Sequence, residues 1–159
     1  MLLQNPRLCF SEVYDGPESP NVRDIIATSD GGYAVVGSVS ANQEPPEGED
    51  RRVDVFFVKV GSDGQFQDAK SIGGPEDQTA RCVQQTADGG FLVAGWATSY
   101  SAGGTGMLLL RLDADGTEIW RQVDEEELIG ASGVAPLTSD LWVVARTVIP
   151  GRLYEPTPP

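Results

Sequence analysis

The sequence contains no histidine among its 159 residues. That removes the usual general base, the Ser-His-Asp and Cys-His arrangements, and every histidine-bound metal site. Cysteine is nearly absent too. Cys9 and Cys82 lie far apart with no CxxC spacing, which leaves too few thiolates for a metal site. Each reads as a small buried apolar group, with a Cys9–Cys82 disulfide as the alternative. Lysine and arginine number 11 against 24 acidic residues, a net charge of −13. Neutralising phosphates needs clustered cations, so nucleic acid and anionic membrane surfaces are poor partners. The charge reads as a solvated surface. No apolar run approaches the ~18 residues of a membrane span, and the opening "MLLQNPRLCF" lacks the pattern of a leader peptide.

Glycine and proline, by contrast, are abundant, at 19 and 11 residues. They punctuate the chain at short intervals, as in an all-β protein with many tight turns. The punctuation is also periodic. "TSDGGYAVVG" from Thr28 returns as "TADGGFLVAG" from Thr86, an offset of 58 positions. "DVFFVKVGSDGQF" from Asp54 returns as "GMLLLRLDADGTEIW" from Gly106, with Asp63 and Asp115 offset by 52. The difference comes from an insertion, "ANQEPPEGEDRR", where the second copy has "SYSAGGT". A third, degraded copy is "ASGVAPLTSDLWVVART", in which Trp142 takes the place of Tyr33 and Phe91.

Apolar residues alternate, or run for five to eight positions, between these turns. Strands are expected over 22–28, 33–39, 54–60 and 66–72, and again over 80–86, 91–97, 107–112 and 117–123. "VDEEELIGA" is the best helix candidate, and it reads as a loop or strand end. The turn residues are Asp30, Gly31 and Gly32, with Asp88, Gly89 and Gly90, then Asp63 with Gly64 and Asp115 with Gly116. Asp-Gly supplies positive φ cheaply, and the aspartate accepts hydrogen bonds within its own turn. Four antiparallel strands in each unit of about 50 residues are the signature of a β-propeller blade, whose two apolar faces need neighbours on both sides.

The same residues, from about Phe10 to Val148, resemble the DGG-type β-propeller repeats of bacterial secreted and cell-surface proteins. The shared pattern is D-G-G-aromatic-apolar-V-A-G, then an apolar strand, K/R-apolar-x-x-D-G and a tryptophan. That tryptophan is present as Trp120 and replaced by Asp68 in the first copy. The resemblance implies a propeller-type domain over 1–148, with units at about 22–72, 80–123 and 131–148, an N-terminal strand at 8–14 and a Pro-rich tail over 149–159. It also implies a secreted or envelope location. The turns are similar, more loosely, to the Asp-box of sialidase-type propellers, a folding element that implies no glycosidase.

Just under three blades fall short of the roughly four to eight of a closed propeller. The expectation is therefore a piece or short relative of a longer propeller, or copies that associate; two copies would supply about six blades. The expected partner is a protein or a second copy closing the ring, with a glycan as the alternative.

Catalytic motifs fare poorly. Asp113, Asp115 and Glu118 are miscounted for an EF-hand, since Glu118 follows Gly116 by only two residues. Gly103, Gly104 and Gly106 open a strand instead of a helix and lack a P-loop lysine, so they read as an inter-strand loop. Arg23 and Arg81 begin the first strand of their units, which in a propeller lies nearest the central channel. They are the candidate anion-binding residues, though pairing with acidic neighbours is favoured, and Ser132 replaces them in the third copy. Tyr33, Phe91 and Trp142 read as inter-blade core. The reading is an all-β, non-catalytic interaction or structural module without metal or cofactor. A carbohydrate-binding propeller is the alternative, and a glycosidase a distant third.

Overall fold

The computed structural model describes residues 20–40, 52–74, 76–99, 104–124, 129–136 and 142–148. The strand expected at 8–14, Cys9, Gly103 and the tail 149–159 lie outside them.

Ten strands form, and no helix appears among the described residues. The first sheet contains β1 (Asn21–Ala27), β2 (Tyr33–Ser40), β3 (Val53–Val60) and β4 (Phe66–Ile72). The second contains β5 (Gln78–Gln85), β6 (Phe91–Ser99), β7 (Gly104–Leu112) and β8 (Glu118–Asp124). The third pairs β9 (Ile129–Pro136) with β10 (Trp142–Val148). All neighbours are antiparallel, in the orders β1-β2-β3-β4, β5-β6-β7-β8 and β10-β9. The eight strands expected from the alternation are present. Two boundaries move. Gly104, Thr105 and Gly106, expected in a loop, are the first residues of β7, where they pair with Ser99, Thr98 and Ala97. "VDEEELIGA" contributes its ends to β8 and β9.

Sequence sets these hairpins through their turns. Gly31, Gly64, Gly89 and Gly116 have φ of 84°, 79°, 86° and 75°, a region where a Cβ is strained. In the first turn the Gly31 N–H donates to Thr28 O, and the Thr28 N–H donates to Gly32 O, both at 2.9 Å. Asp30 accepts from the Gly32 N–H at 3.1 Å and from the Thr28 hydroxyl. The Thr86–Gly90 turn repeats every one of these bonds, with Asp88 in the role of Asp30.

The sheets stack face to face. β5 lies against β1, β2 and β3, and β9 lies against β5, β6 and β7. Alternation along β6 shows why. Phe91, Val93 and Ala97 join Ala34, Val36, Val55 and Phe57 of the first sheet in one core. Leu92 and Ala94 join Ala131 and Val134 of the third sheet in another. The middle sheet is thus buried on both faces, a pattern that period-2 alternation of two apolar sets requires. Phe57 and Phe91 meet across the first interface with ring centroids 5.0 Å apart and planes tilted by 57°. Among the described residues the three sheets do not close into a ring.

The backbones approach closely at equivalent places in the two complete sheets. A Cβ on Gly37 would lie 2.0 Å from Asn21 O, and one on Gly95 would lie 1.9 Å from Thr79 O. Only glycine fits beside the first strand there.

Candidate functional site

Each first strand contains a β-bulge. Register shifts across Arg23 in β1, across Arg81 in β5 and across Ser132 in β9. The extra residue is the same repeat position in all three sheets, and in each case it is exposed. A bulge turns its residue away from the ladder and leaves nearby backbone groups in need of partners. Among the described residues neither arginine has an ion-pair partner, so the acidic neighbours expected for them are not found there. The structure brings their strands, β1 and β5, against one another.

The residue after each of the first two bulges reaches toward the next sheet. One oxygen of Asp24 accepts from the Ile25 N–H of its own strand at 2.9 Å. The other accepts from the Val83 N–H of β5, also at 2.9 Å. Ile25 and Val83 are repeat equivalents, so a single carboxylate serves the same backbone position in two sheets. Cys82 stands at the position of Asp24 one repeat later, and its side chain packs against the cluster that holds Val134, the equivalent of Val83. The thiol also faces Ala94 O at 3.8 Å. Cys82 is free. Burial first, and then the Asp24 charge, push its pKa up to about 11. It is therefore a neutral thiol near pH 7, unsuited to nucleophilic attack or metal ligation.

Further polar links cross the first interface. The Ser29 N–H donates to Gln85 Oε1 at 2.7 Å, and the Val53 N–H donates to Asp77 Oδ1 at 2.9 Å. Lys70 Nζ donates to Thr117 Oγ1 at 2.9 Å, and Lys59 Nζ donates to Ala114 O at 3.4 Å. Within each four-stranded sheet a third-strand cation grips the DGG turn. Lys59 Nζ sits 3.4 Å from Asp30. Its equivalent, Arg111, donates to both carboxylate oxygens of Asp88 at 2.7 and 2.6 Å and also to Phe91 O at 3.2 Å. The K/R-apolar-x-x-D-G spacing carried this signal, but the sequence alone did not show what the cation holds.

The carboxylates are arranged for structure. The Thr28 hydroxyl, then the Gly32 N–H and Lys59, hold Asp30 below the usual range. The Thr86 hydroxyl leads the same effect at Asp88, with Gly90 and Arg111 adding to it. Arg121 does this to Glu118 and also donates to Gly73 O and Gln78 Oε1. None of these three groups is placed to carry a proton at neutral pH. In the last turn the expected role moves. Asp113, not Asp115, accepts the turn N–H groups, from Asp115 at 3.0 Å and Thr117 at 2.7 Å. At the equivalent Asp63 the Gln65 N–H bond is made as expected, at 3.0 Å.

The aromatic positions divide. Phe91 is fully buried between sheets, whereas Tyr33 is only partly buried, on the face of the first sheet turned away from the second. The side chain of Trp142 lies outside the described residues. Among those residues no group of three or more His, Cys, Asp or Glu side chains could hold a metal ion. No protein-family model matches the chain, and no curated protein matches it.

On the first sheet's outward face the β1 residues Val22 and Ile25 are 55% and 59% exposed, whereas Val39, Val58 and Val60 of β2 and β3 are buried. The equivalents of Val22 and Ile25 on the second sheet, Ala80 and Val83, are 0% exposed beneath the first sheet.

Proposed function

We propose that the chain is a non-catalytic, propeller-type repeat module, each four-stranded sheet a blade, that works as a structural or protein-interaction scaffold. The observation that carries this reading is the double burial of the middle sheet, sealed on one face by the first sheet and on the other by the third. A unit of this kind is complete only between neighbours. The depressed carboxylates, the neutral Cys82 thiol and the absence of histidine support a scaffold in preference to an enzyme.

Carbohydrate binding is the second reading, favoured by one observation: Trp120 is 42% exposed on the outer strand β8. A glycan array and a panel of chromogenic glycosides test both. The scaffold reading expects blanks on each. Glycan binding that Trp120→Ala abolishes would replace it with the carbohydrate reading. Glycoside hydrolysis abolished by a single carboxylate substitution would contradict the non-catalytic assignment.

A further inference from the structure

With 24 acidic residues against 11 basic ones, the cations of this chain have carboxylates to choose from. Most take one. Lys59 holds Asp30, Lys70 holds Asp68, Arg111 holds Asp88 and Arg121 holds Glu118. Arg52 is engaged as well. Among the described side chains, the cations left with no hydrogen bond or ion pair are Arg23 and Arg81. Each is the extra residue of a β-bulge, at the same repeat position, on the first strand of its sheet.

The fold puts the two on neighbouring strands. β1 and β5 lie against one another, and each is an edge strand of its sheet. A bulge swings its extra residue out of the ladder. Arg81 is accordingly exposed, although Ala80 before it is fully buried and Cys82 after it is half-buried. Arg23 is exposed too. Asp24, the carboxylate beside Arg23 in the chain, pairs with neither arginine, because its two oxygens accept from the Ile25 and Val83 N–H groups. The second of those donors belongs to β5, so Asp24 ties the β1 bulge to the strand that carries Arg81. In the third sheet the bulge residue is Ser132, whose hydroxyl donates to Ala145 O at 3.3 Å. That bulge carries no cation, and the arginine pair is confined to the first interface.

We propose that Arg23 and Arg81 together form a binding site for a small oxyanion carrying two negative charges. The site rests on strand register and charge, and is independent of the scaffold reading. Stacked sheets lie about 10 Å apart, a gap that two long arginine side chains can span from either side. A guanidinium stays protonated at any physiological pH, and its planar fork of N–H groups matches the oxygens of a phosphate or a carboxylate two at a time. One guanidinium neutralises one charge, so the pair favours a dianion over a monoanion. The net charge of −13 repels anions from the rest of the surface. Two sources share this chemistry: a dianion centred on one atom, such as phosphate, and one with two separate carboxylates, such as succinate.

Nuclear magnetic resonance of the full chain reads the site directly, through the Nε–H signals of the arginine side chains. Arg23→Gln and Arg81→Gln assign two of those signals by their loss, and unchanged backbone amide signals elsewhere show that each variant folds. Inorganic phosphate and succinate are titrated separately, at an ionic strength held constant with chloride. With at least one of them, the Arg23 and Arg81 signals are expected to move together along a single saturating curve. Those of Arg111 and Arg121, already held by Asp88 and Glu118, are expected to stay in place. The anion that saturates at lower concentration distinguishes the one-centre from the two-centre source. Acetate is expected to bind at least about tenfold more weakly, and either Gln variant to weaken binding by about tenfold or more, as the loss of one charge-assisted contact does.

Movement of neither signal with either dianion overturns the inference. So does movement of one arginine without the other, an equal response at Arg111 or Arg121, or an affinity that either Gln substitution leaves unchanged. Acetate binding as tightly as both dianions overturns the pairing of the two charges. None of these results bears on the stacking of the sheets, so the scaffold reading stands or falls separately.

Discussion

Val83 and Ile25 occupy the same repeat position, follow the same bulge and precede the same turn, yet one is sealed and the other stands in water. The first sheet supplies the whole difference, because it lies on Val83 and among the described residues no sheet lies on Ile25. A strand's apolar alternation states which side chains need cover; only the neighbour decides whether they get it. The comparison also explains why β5 is largely buried while β1 is mostly exposed, although their sequences share a pattern.

The sharpest way to break this comparison is truncation at the two equivalent positions. Val83→Ala is expected to cost about 2–3 kcal/mol, a transfer loss plus a cavity. Ile25→Ala is expected to cost no more than about 0.5 kcal/mol, measured by urea unfolding at concentrations where the chain is single. Equal losses would mean that the two faces are not differently covered.

The turns offer a second contrast. Gly89→Ala meets nothing within 4 Å, so its cost is the left-handed backbone alone, about 1–2 kcal/mol. Gly116→Ala has the same backbone penalty and also places a Cβ 2.5 Å from the Phe57 ring. It is expected to be the more destabilising of the two, because the turn of one sheet abuts the core of the other. Thermal unfolding of both variants decides it.

The smallest effect concerns pH. Asp30 and Asp88 are held below the ordinary aspartate value in the fold, so their contribution to stability is fully present above roughly pH 4 and declines as pH falls through the lower folded value. Asp88→Asn is expected to flatten that decline in an acid titration of stability, since Asn cannot titrate. An unchanged profile would show that the turn carboxylate has no share in it.

Much of the fold was legible because Asp-Gly turns fix both where strands stop and their register; all eight strands of the complete sheets were readable from "SDGG", "GSDG", "ADGG" and "DADG". Glycine misled in one segment, at Gly104 and Gly106, where residues that usually mark a loop instead stand in a strand. The site was less legible. The equivalence of Arg23, Arg81 and Ser132 is visible in the repeat, but a bulge is a property of pairing between strands and leaves no local signature. For the same reason nothing in "RDI" or "RCV" shows that Asp24 and Cys82 reach across to the next sheet. The exchange of Asp115 for Asp113 has a simpler origin. "DADG" holds two aspartates, and which one accepts depends on turn geometry that spacing does not specify.

The central claim is that consecutive repeat sheets seal one another face to face, and Phe57 with Phe91 tests it most directly. A double-mutant cycle of Phe57→Ala and Phe91→Ala, read by urea unfolding, measures the coupling between residues of different sheets. Stacked sheets predict a coupling of about 0.5–1.5 kcal/mol. Strictly additive losses would contradict the account.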